Sequence, residues 1–231
     1  MGRKKQLGSR LESNPEVLNE FVAKLGVPQD WTFCDVFGLD PELLAMVPPA
    51  IAVILLFPIT DKYEAYRKTE DQRLLASPPA VPASAYFLKQ TIGNACGTIA
   101  VLHSVLNNAD LLPLAGTPLD RILTTTKTMT PQERAKALEH NADIANAHSQ
   151  VAQLGQTAAP SADADVDLHF VAFVGVEGQL LELDGRRPFP IPHGPLGDQS
   201  LLDNVARVVR GFMQRDPDNL QFNLIALAQA E

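Results

Sequence analysis

The chain has 231 residues, 45% of them apolar, and a formal net charge of −8. That length and composition fit a single globular domain over residues 1–231 with one sizeable core. The acidic balance argues against nucleic acid as a partner and favours the approach of a substrate with a basic surface or tail.

The two cysteines, Cys34 and Cys96, are too few for a disulfide framework. A reactive thiol survives best in a reducing compartment, so the expected location is cytoplasmic, with the nucleus also open. The basic stretch Met1 to Gln6 has no apolar run behind it and is not a signal peptide, and Gln6 breaks the myristoylation pattern. The longest apolar stretch, Val47 to Ile59, is interrupted by Pro48, Pro49 and Pro58 and is too short to span a bilayer, so no membrane association is expected.

Along the chain, Asn14 as cap, Pro15 at the first helical position and Glu16 in the first turn open a helix. Val17, Leu18, Phe21, Val22 and Leu25 share its apolar face, and Gly26 ends it. A strand over Trp31 to Phe37 follows, then a short helix capped by Asp40, then a buried strand from Ile51 to Phe57. The polar run Thr60 to Leu75 reads as a surface helix. Pro78, Pro79 and Pro82 mark a loop, because proline fixes φ and lacks a donor.

Tyr86 to Leu88 reads as a strand. The helix opened at Asn94 is apolar nearly all round, through Ile99, Ala100, Val101, Leu102, Val105 and Leu106, which predicts burial. Thr130-Pro131-Gln132-Glu133 is a capping box, so a surface helix should run from there towards Ser149. Residues 150–165 are small and polar, without helical or strand rhythm, and predict a long mobile loop of the functional kind. Strands over Val166 to Val174 and Gln179 to Leu183 flank a turn at Glu177-Gly178. Leu201 to Met213 forms an amphipathic helix ended at Asp216-Pro217, and Leu220 to Ala228 a closing strand. Neither an internal repeat nor a second core is evident.

The chemistry is carried by Cys96, His169 and Asp184. A thiolate needs a base to take its proton and a third group to orient that base, and their separation in sequence is irrelevant once the fold closes. With Val176 opposite Gln179 across the turn, Val171 falls opposite Asp184. His169 shares the face of Val171 and becomes a diagonal neighbour of Asp184 at roughly 7 to 8 Å, within reach of ring and carboxylate. Cys96 at the start of a buried helix gains from free backbone N–H groups and the positive helix end, both of which favour thiolate. Gln90, six residues earlier, aims its amide at a developing oxyanion, with the Cys96 N–H as second donor.

The other candidates read as structural. Cys34 is a small apolar strand residue, His103 a hydrogen-bonded core residue, and His140 and His148 members of a solvated helix. His193, in Pro190-Ile191-Pro192-His193-Gly194, reads as a loop residue packed under the site, although by spacing alone it is a rival base. No His or Cys pair has metal-ligand spacing and no glycine-rich phosphate loop is present, so neither a metal nor another cofactor is expected.

The run Gln90-Thr-Ile-Gly-Asn94-Ala95-Cys96-Gly97-Thr-Ile-Ala-Val-Leu-His103-Ser104 resembles the ubiquitin C-terminal hydrolase family, a family of thiol proteases. The likeness extends to Pro41 to Pro48, Leu55 to Thr60, Asp167 to Phe170, Leu183 to Arg186 and Pro188 to Ile191, and is greatest to the short single-domain members such as isozyme three. It implies Cys96 as nucleophile, His169 as general base, Asp184 as orienting acid and Gln90 as oxyanion donor. It also implies a papain-like α/β (α+β) fold, a central mainly antiparallel sheet flanked by helices with a knotted backbone.

By the same likeness residues 150–165 form the loop that crosses the active site, and Leu11, Glu12, Asn14, Gln156, Leu220 and Phe222 fall in stretches that touch ubiquitin. The expected activity is deubiquitination: cleavage of small adducts or short peptides from ubiquitin's C-terminal glycine through a Cys96 thioester, by a monomer. The alternatives are a ubiquitin-binding or ubiquitin-stabilising protein with little turnover, and a hydrolase for a ubiquitin-like modifier. Leu106 and the alanine-rich crossover segment depart from the family pattern.

Overall fold

The computed structural model describes residues 11–151 and 168–230. Six strands, β1 (Trp31–Asp35), β2 (Ala50–Pro58), β3 (Leu168–Val176), β4 (Gln179–Leu183), β5 (Ile191–Pro195) and β6 (Asn223–Gln229), form one sheet in the order β1-β6-β2-β3-β4-β5. Every neighbouring pair is antiparallel. The helices are α1 (Pro15–Leu25), α2 (Pro41–Leu44), α3 (Asp61–Ala76), α4 (Cys96–Leu106), α5 (Pro118–Thr126), α6 (Pro131–Glu139), α7 (Ala142–Val151) and α8 (Leu201–Arg215). This is the expected α/β arrangement of a mainly antiparallel sheet flanked by helices.

Strands β2 and β3 are almost continuously apolar because both faces of the sheet are covered. Side chains alternate between the faces. Ala52, Ile54, Phe170, Ala172 and Val174 pack with α1, α4, α5, α6 and α7, while Val53, Leu55, Phe57, Val171 and Phe173 pack with Tyr63 of α3 and with α8. The expectation of one core is therefore corrected: among the described residues most buried apolar side chains fall into two clusters, one on each side of the sheet.

Helix α1 forms as its caps dictate. Asn14 Oδ1 accepts the Glu16 N–H, and Gly26 closes the helix at φ 97°, a left-handed conformation that glycine adopts at no steric cost. Asn19 then clamps α1 to β1 by accepting the Phe33 N–H at 2.6 Å and donating to the Phe33 carbonyl at 3.0 Å.

Four expectations change. Tyr86 to Leu88 joins no strand ladder. Asn107 bonds both the N–H and the carbonyl of Tyr86, His103 accepts the Leu88 N–H, and Arg134 donates to the Phe87 carbonyl, so side chains satisfy this extended backbone in place of a neighbouring strand. The helix expected from Thr130 to Ser149 is two helices. The capping box opens α6 as foreseen, but Asn141 accepts the Ile144 N–H and starts α7 as a separate piece.

Helix α5, to which no element was assigned, has its own signal: Thr117 caps it, Pro118 follows, and Asp120 lies in the first turn. His193 belongs to β5 rather than a loop. Pro192 and Pro195 are tolerated there because β5 is the last strand of the sheet order.

Helix α4 lies against β2 and β3 and has no exposed residue, so a cavity in it cannot be relieved by solvent. Leu102→Ala should lower the unfolding free energy by about 2–5 kcal/mol, read from urea denaturation.

Candidate active site

The β3–β4 hairpin has the anticipated turn. Val176 faces Gln179, and Glu177 and Gly178 hold φ of 49° and 75°. Ala172 then faces Leu183, and Asp184 follows directly after the end of β4. His169 Nε2 lies 2.8 Å from Asp184 Oδ1, with both side chains buried.

His169 shares a sheet face with Val171 and Phe173, and its ring meets Phe57 edge-on at 5.9 Å. Helix α4 packs on the opposite face, against Phe170, Ala172 and Val174. The two faces meet only at the rim of the sheet, and both groups are at that rim: Cys96 is the first residue of α4 and His169 the second of β3.

Burial would push the Cys96 thiol up, but the hydrogen bond to His169, the charge of that ring and the backbone N–H groups of Phe170 and Gly97 outweigh it and hold the thiol below its usual range. Burial likewise opposes charge on His169. The Asp184 carboxylate, its hydrogen bond and the contact with Cys96 win, and the imidazole is raised to about 9. Asp184 is held at about 2 against the cost of burial by His169 and by the Arg186 N–H, which donates to Oδ1 at 2.8 Å. With Nε2 committed to the carboxylate, Nδ1 is the ring nitrogen left for the thiol. At neutral pH the arrangement favours thiolate beside imidazolium.

An open cleft of about 360 Å³ adjoins this pair, lined by Ile59, Glu64, Gln90, Asn94, Cys96, Leu168, His169 and Arg186. Gln90 Nε2 donates to the Ile92 carbonyl at 3.3 Å, a long bond that a charged acceptor could replace, and Gln90 Oε1 is buried without a hydrogen bond. Asn94 was expected to open the helix. Instead Ala95 precedes α4 without a side-chain cap, and Asn94 holds φ 64°, a left-handed position that asparagine tolerates better than most residues. Ala95 has no polar side chain to cap α4, and the Gly97 N–H at the helix start is directed to the Cys96 sulfur.

Residues that the sequence reading missed support this geometry. Gly185 is needed for a close approach: a Cβ there would lie 2.9 Å from the Gln90 N and Cβ, and its carbonyl accepts the Gln90 N–H at 2.9 Å. Arg186 reaches Glu64 at 2.7 Å, and Glu64 is also held by Arg67 at 2.9 Å. The available signal was the acid–base spacing on α3, which a polar, surface-helix reading does not separate from a solvated face.

His103 is the core residue anticipated. The Leu88 N–H can only donate, so Nε2 accepts and the Nδ1 proton goes to the Leu183 carbonyl at 3.3 Å. Burial lowers His103 to about 4 and keeps it neutral. His148 was expected on a solvated helix but is 1% exposed, with Nδ1 3.1 Å from Thr98 Oγ1. His140 is exposed. His193 pairs with Glu182 at 2.8 Å and does not line the cleft, which removes it as the rival base.

Of the expected partner-contact residues, Leu11 is buried in the core, where its Cβ would sit 3.1 Å from a Cβ on Gly97, so it presents no side chain to a partner. Glu12 and Asn14 lie next to Ser13, which accepts two bonds from Asn223, and this links them to the Leu220 to Phe222 stretch. Leu220 is 87% exposed and Phe222 is half-buried. Gln156 and most of the crossover segment lie outside the described residues.

The profile of "Ubiquitin carboxyl-terminal hydrolase, family 1" matches residues 9–214. The chain belongs to this family. As a member it is a cysteine-type ubiquitinyl hydrolase. Among similar proteins, ubiquitin carboxyl-terminal hydrolase isozyme L1 of Rattus norvegicus is 45% identical over 222 residues, 95% of this chain and 97% of the relative. A ubiquitin carboxyl-terminal hydrolase of Aplysia californica is 49% identical over 210 residues, 90% of this chain and 95% of the relative. The catalytic domain of Trichinella spiralis UCH37, solved bound to ubiquitin vinyl methyl ester, shares the fold with a TM-score of 0.77 at 22% identity, covering 99% of this chain and 96% of that one.

Two outcomes follow from the geometry. The pH at which iodoacetamide half-maximally alkylates Cys96 should lie below that of an ordinary thiol, about 8.5. In His169→Ala the hydrogen bond and charge of the ring are lost while burial and the two backbone N–H groups remain, so the midpoint should rise relative to the parent. Gly185→Ala should displace Gln90 and reduce turnover by about 10-fold or more while leaving the alkylation midpoint near that of the parent, as measured by steady-state hydrolysis and alkylation side by side.

Proposed function

We propose that Cys96 is the nucleophile, His169 the general base and acid, Asp184 the group that orients His169, and Gln90 the oxyanion donor in hydrolysis at the C-terminal glycine of ubiquitin. The observation that carries this reading is the buried 2.8 Å contact from Asp184 to His169 beside the Cys96 thiol at the mouth of an open cleft.

The Cys96 sulfur attacks the glycine carbonyl carbon, and the carbonyl π pair moves onto oxygen, where the Gln90 amide and the Cys96 N–H stabilise it. Collapse expels the leaving group, which takes the proton held by His169, and leaves a thioester. His169, now neutral, removes a proton from water, and the hydroxide so generated attacks the thioester. Collapse expels the Cys96 thiolate, with ubiquitin carrying a free carboxyl group, and His169 is again protonated. Asp184 keeps the ring in the required orientation throughout and stabilises its charged form.

Ubiquitin as the partner is supported by the family and by the ubiquitin vinyl methyl ester complexes of two Trichinella spiralis structures of the same fold. The half-buried stretch Glu12 to Asn14 together with exposed Leu220 and half-buried Phe222 is the proposed docking face. The net charge of −8 suits a basic C-terminal tail, an attraction that salt should weaken. We assign action as a monomer, since the four proposed catalytic residues all come from one chain, and, from the family likeness, preference for small adducts or short extensions. A free thiol at Cys96 fits the reducing cytosol or nucleus.

With a fluorogenic ubiquitin C-terminal amide, Cys96→Ala should abolish hydrolysis and Gln90→Ala should reduce kcat by about 10²- to 10³-fold. Parental rates in Cys96→Ala would overturn the assignment. Faster hydrolysis of a ubiquitin-like modifier in direct competition would redirect the substrate.

A further inference from the structure

Arg187 is 1% exposed and among the largest side chains fully shut inside the molecule, although it carries a charge. Its Nη2 donates to Glu70 at 2.6 Å, while Asp71 at 2.7 Å from Nε and Glu182 at 3.9 Å from Nη1 face it as ion pairs without an aligned hydrogen bond; Glu70 and Asp71 are on α3 and Glu182 is on β4. Each acid has a further partner: the Tyr66 hydroxyl donates to Glu70 at 2.8 Å, Arg67 reaches Asp71 at 2.9 Å, and His193 of β5 reaches Glu182 at 2.8 Å.

The backbone around Arg187 runs directly to the site. Its N–H donates to the Asp184 carbonyl at 2.9 Å, its carbonyl accepts from Lys89 Nζ, and the next residue, Gln90, donates its N–H to the Gly185 carbonyl at 2.9 Å. A buried ion cluster is a poor device for stability, since apolar residues of equal volume often stabilise as well or better. It is a good device for fixing a turn, because the guanidinium fork has a defined geometry.

We infer that Arg187 is a positioning residue for the ubiquitinyl hydrolase reaction: by anchoring the Asp184–Arg187 turn to α3, it fixes the Asp184 carboxylate against His169 and the Gln90 amide at the cleft. Arg187 does not line the cleft, so it acts only through these neighbours. The inference rests on the function proposed above.

The test compares Arg187→Met, Glu70→Gln with Asp71→Asn, and the triple combination in the full chain. Two readouts are taken: kcat and KM on a ubiquitin C-terminal amide per alkylatable Cys96, and the pH midpoint of Cys96 alkylation, which requires no ubiquitin. Arg187→Met should lower kcat about 10-fold or more at unchanged KM and raise the alkylation midpoint. The acid pair should move both readouts in the same direction, and the triple variant should be no worse than the poorer of the two, as members of one unit behave.

Arg187→Lys keeps the charge but cannot span Glu70 and Asp71 together, so it should also lose kcat and serves if Arg187→Met does not fold. Parental kcat and midpoint in both Arg187 variants, with only a lower melting temperature, would overturn the inference. A shifted midpoint in a protein whose parent fails to cleave the ubiquitin amide would support positioning of the thiol and overturn the proposed substrate.

Discussion

The contact between Asp184 and His169 is the constraint around which the site is built. A carboxylate with no exposed surface is costly unless a cation or several N–H groups face it, and here the imidazole and the Arg186 N–H do so. The same contact makes the charged ring favourable, and the charged ring makes the Cys96 thiolate favourable. Three buried groups that would each resist ionisation alone are ionised together because each supplies the opposite charge that the next requires.

That chain of charge depends on sheet register. A slip of one residue between β3 and β4 would turn His169 to the face occupied by α4 and remove it from Asp184, because side chains alternate with period two. The register is pinned by the left-handed pair Glu177-Gly178 and by the opposite apolar demands of the two faces. Meeting at the rim also explains why the site is open. The thiol and the imidazole approach from different layers, and the rim is the one place where the layers do not have the sheet between them.

Beneath the triad lies a second electrostatic level. Helix α3 is polar along its length and buries only Tyr63 and Leu74, yet its carboxylates hold Arg186 and the buried Arg187. These ion pairs set the position of the Asp184 to Arg187 turn relative to the helix. On the other face, neutral His103 joins the extended Tyr86 to Leu88 backbone to the end of β4, so the segments that carry Gln90 and Asp184 are tied on both sides.

Local chemistry was legible in the amino-acid sequence by itself. Asn14, Thr130 and Gly26 announce helix ends, Glu177-Gly178 announces the hairpin and its register, and the all-round apolar run after Cys96 announces a buried helix, because each depends on neighbours within a few residues. From these the catalytic trio and the layered sheet could be inferred. Contacts between distant segments could not. Leu11 and His148 are buried by elements far along the chain, Tyr86 to Leu88 finds side-chain partners instead of a strand, and Arg187 finds its acids on a helix more than a hundred residues earlier. The burial of a polar group is decided by whether the closed fold brings it a partner, and no local pattern encodes that partner's position.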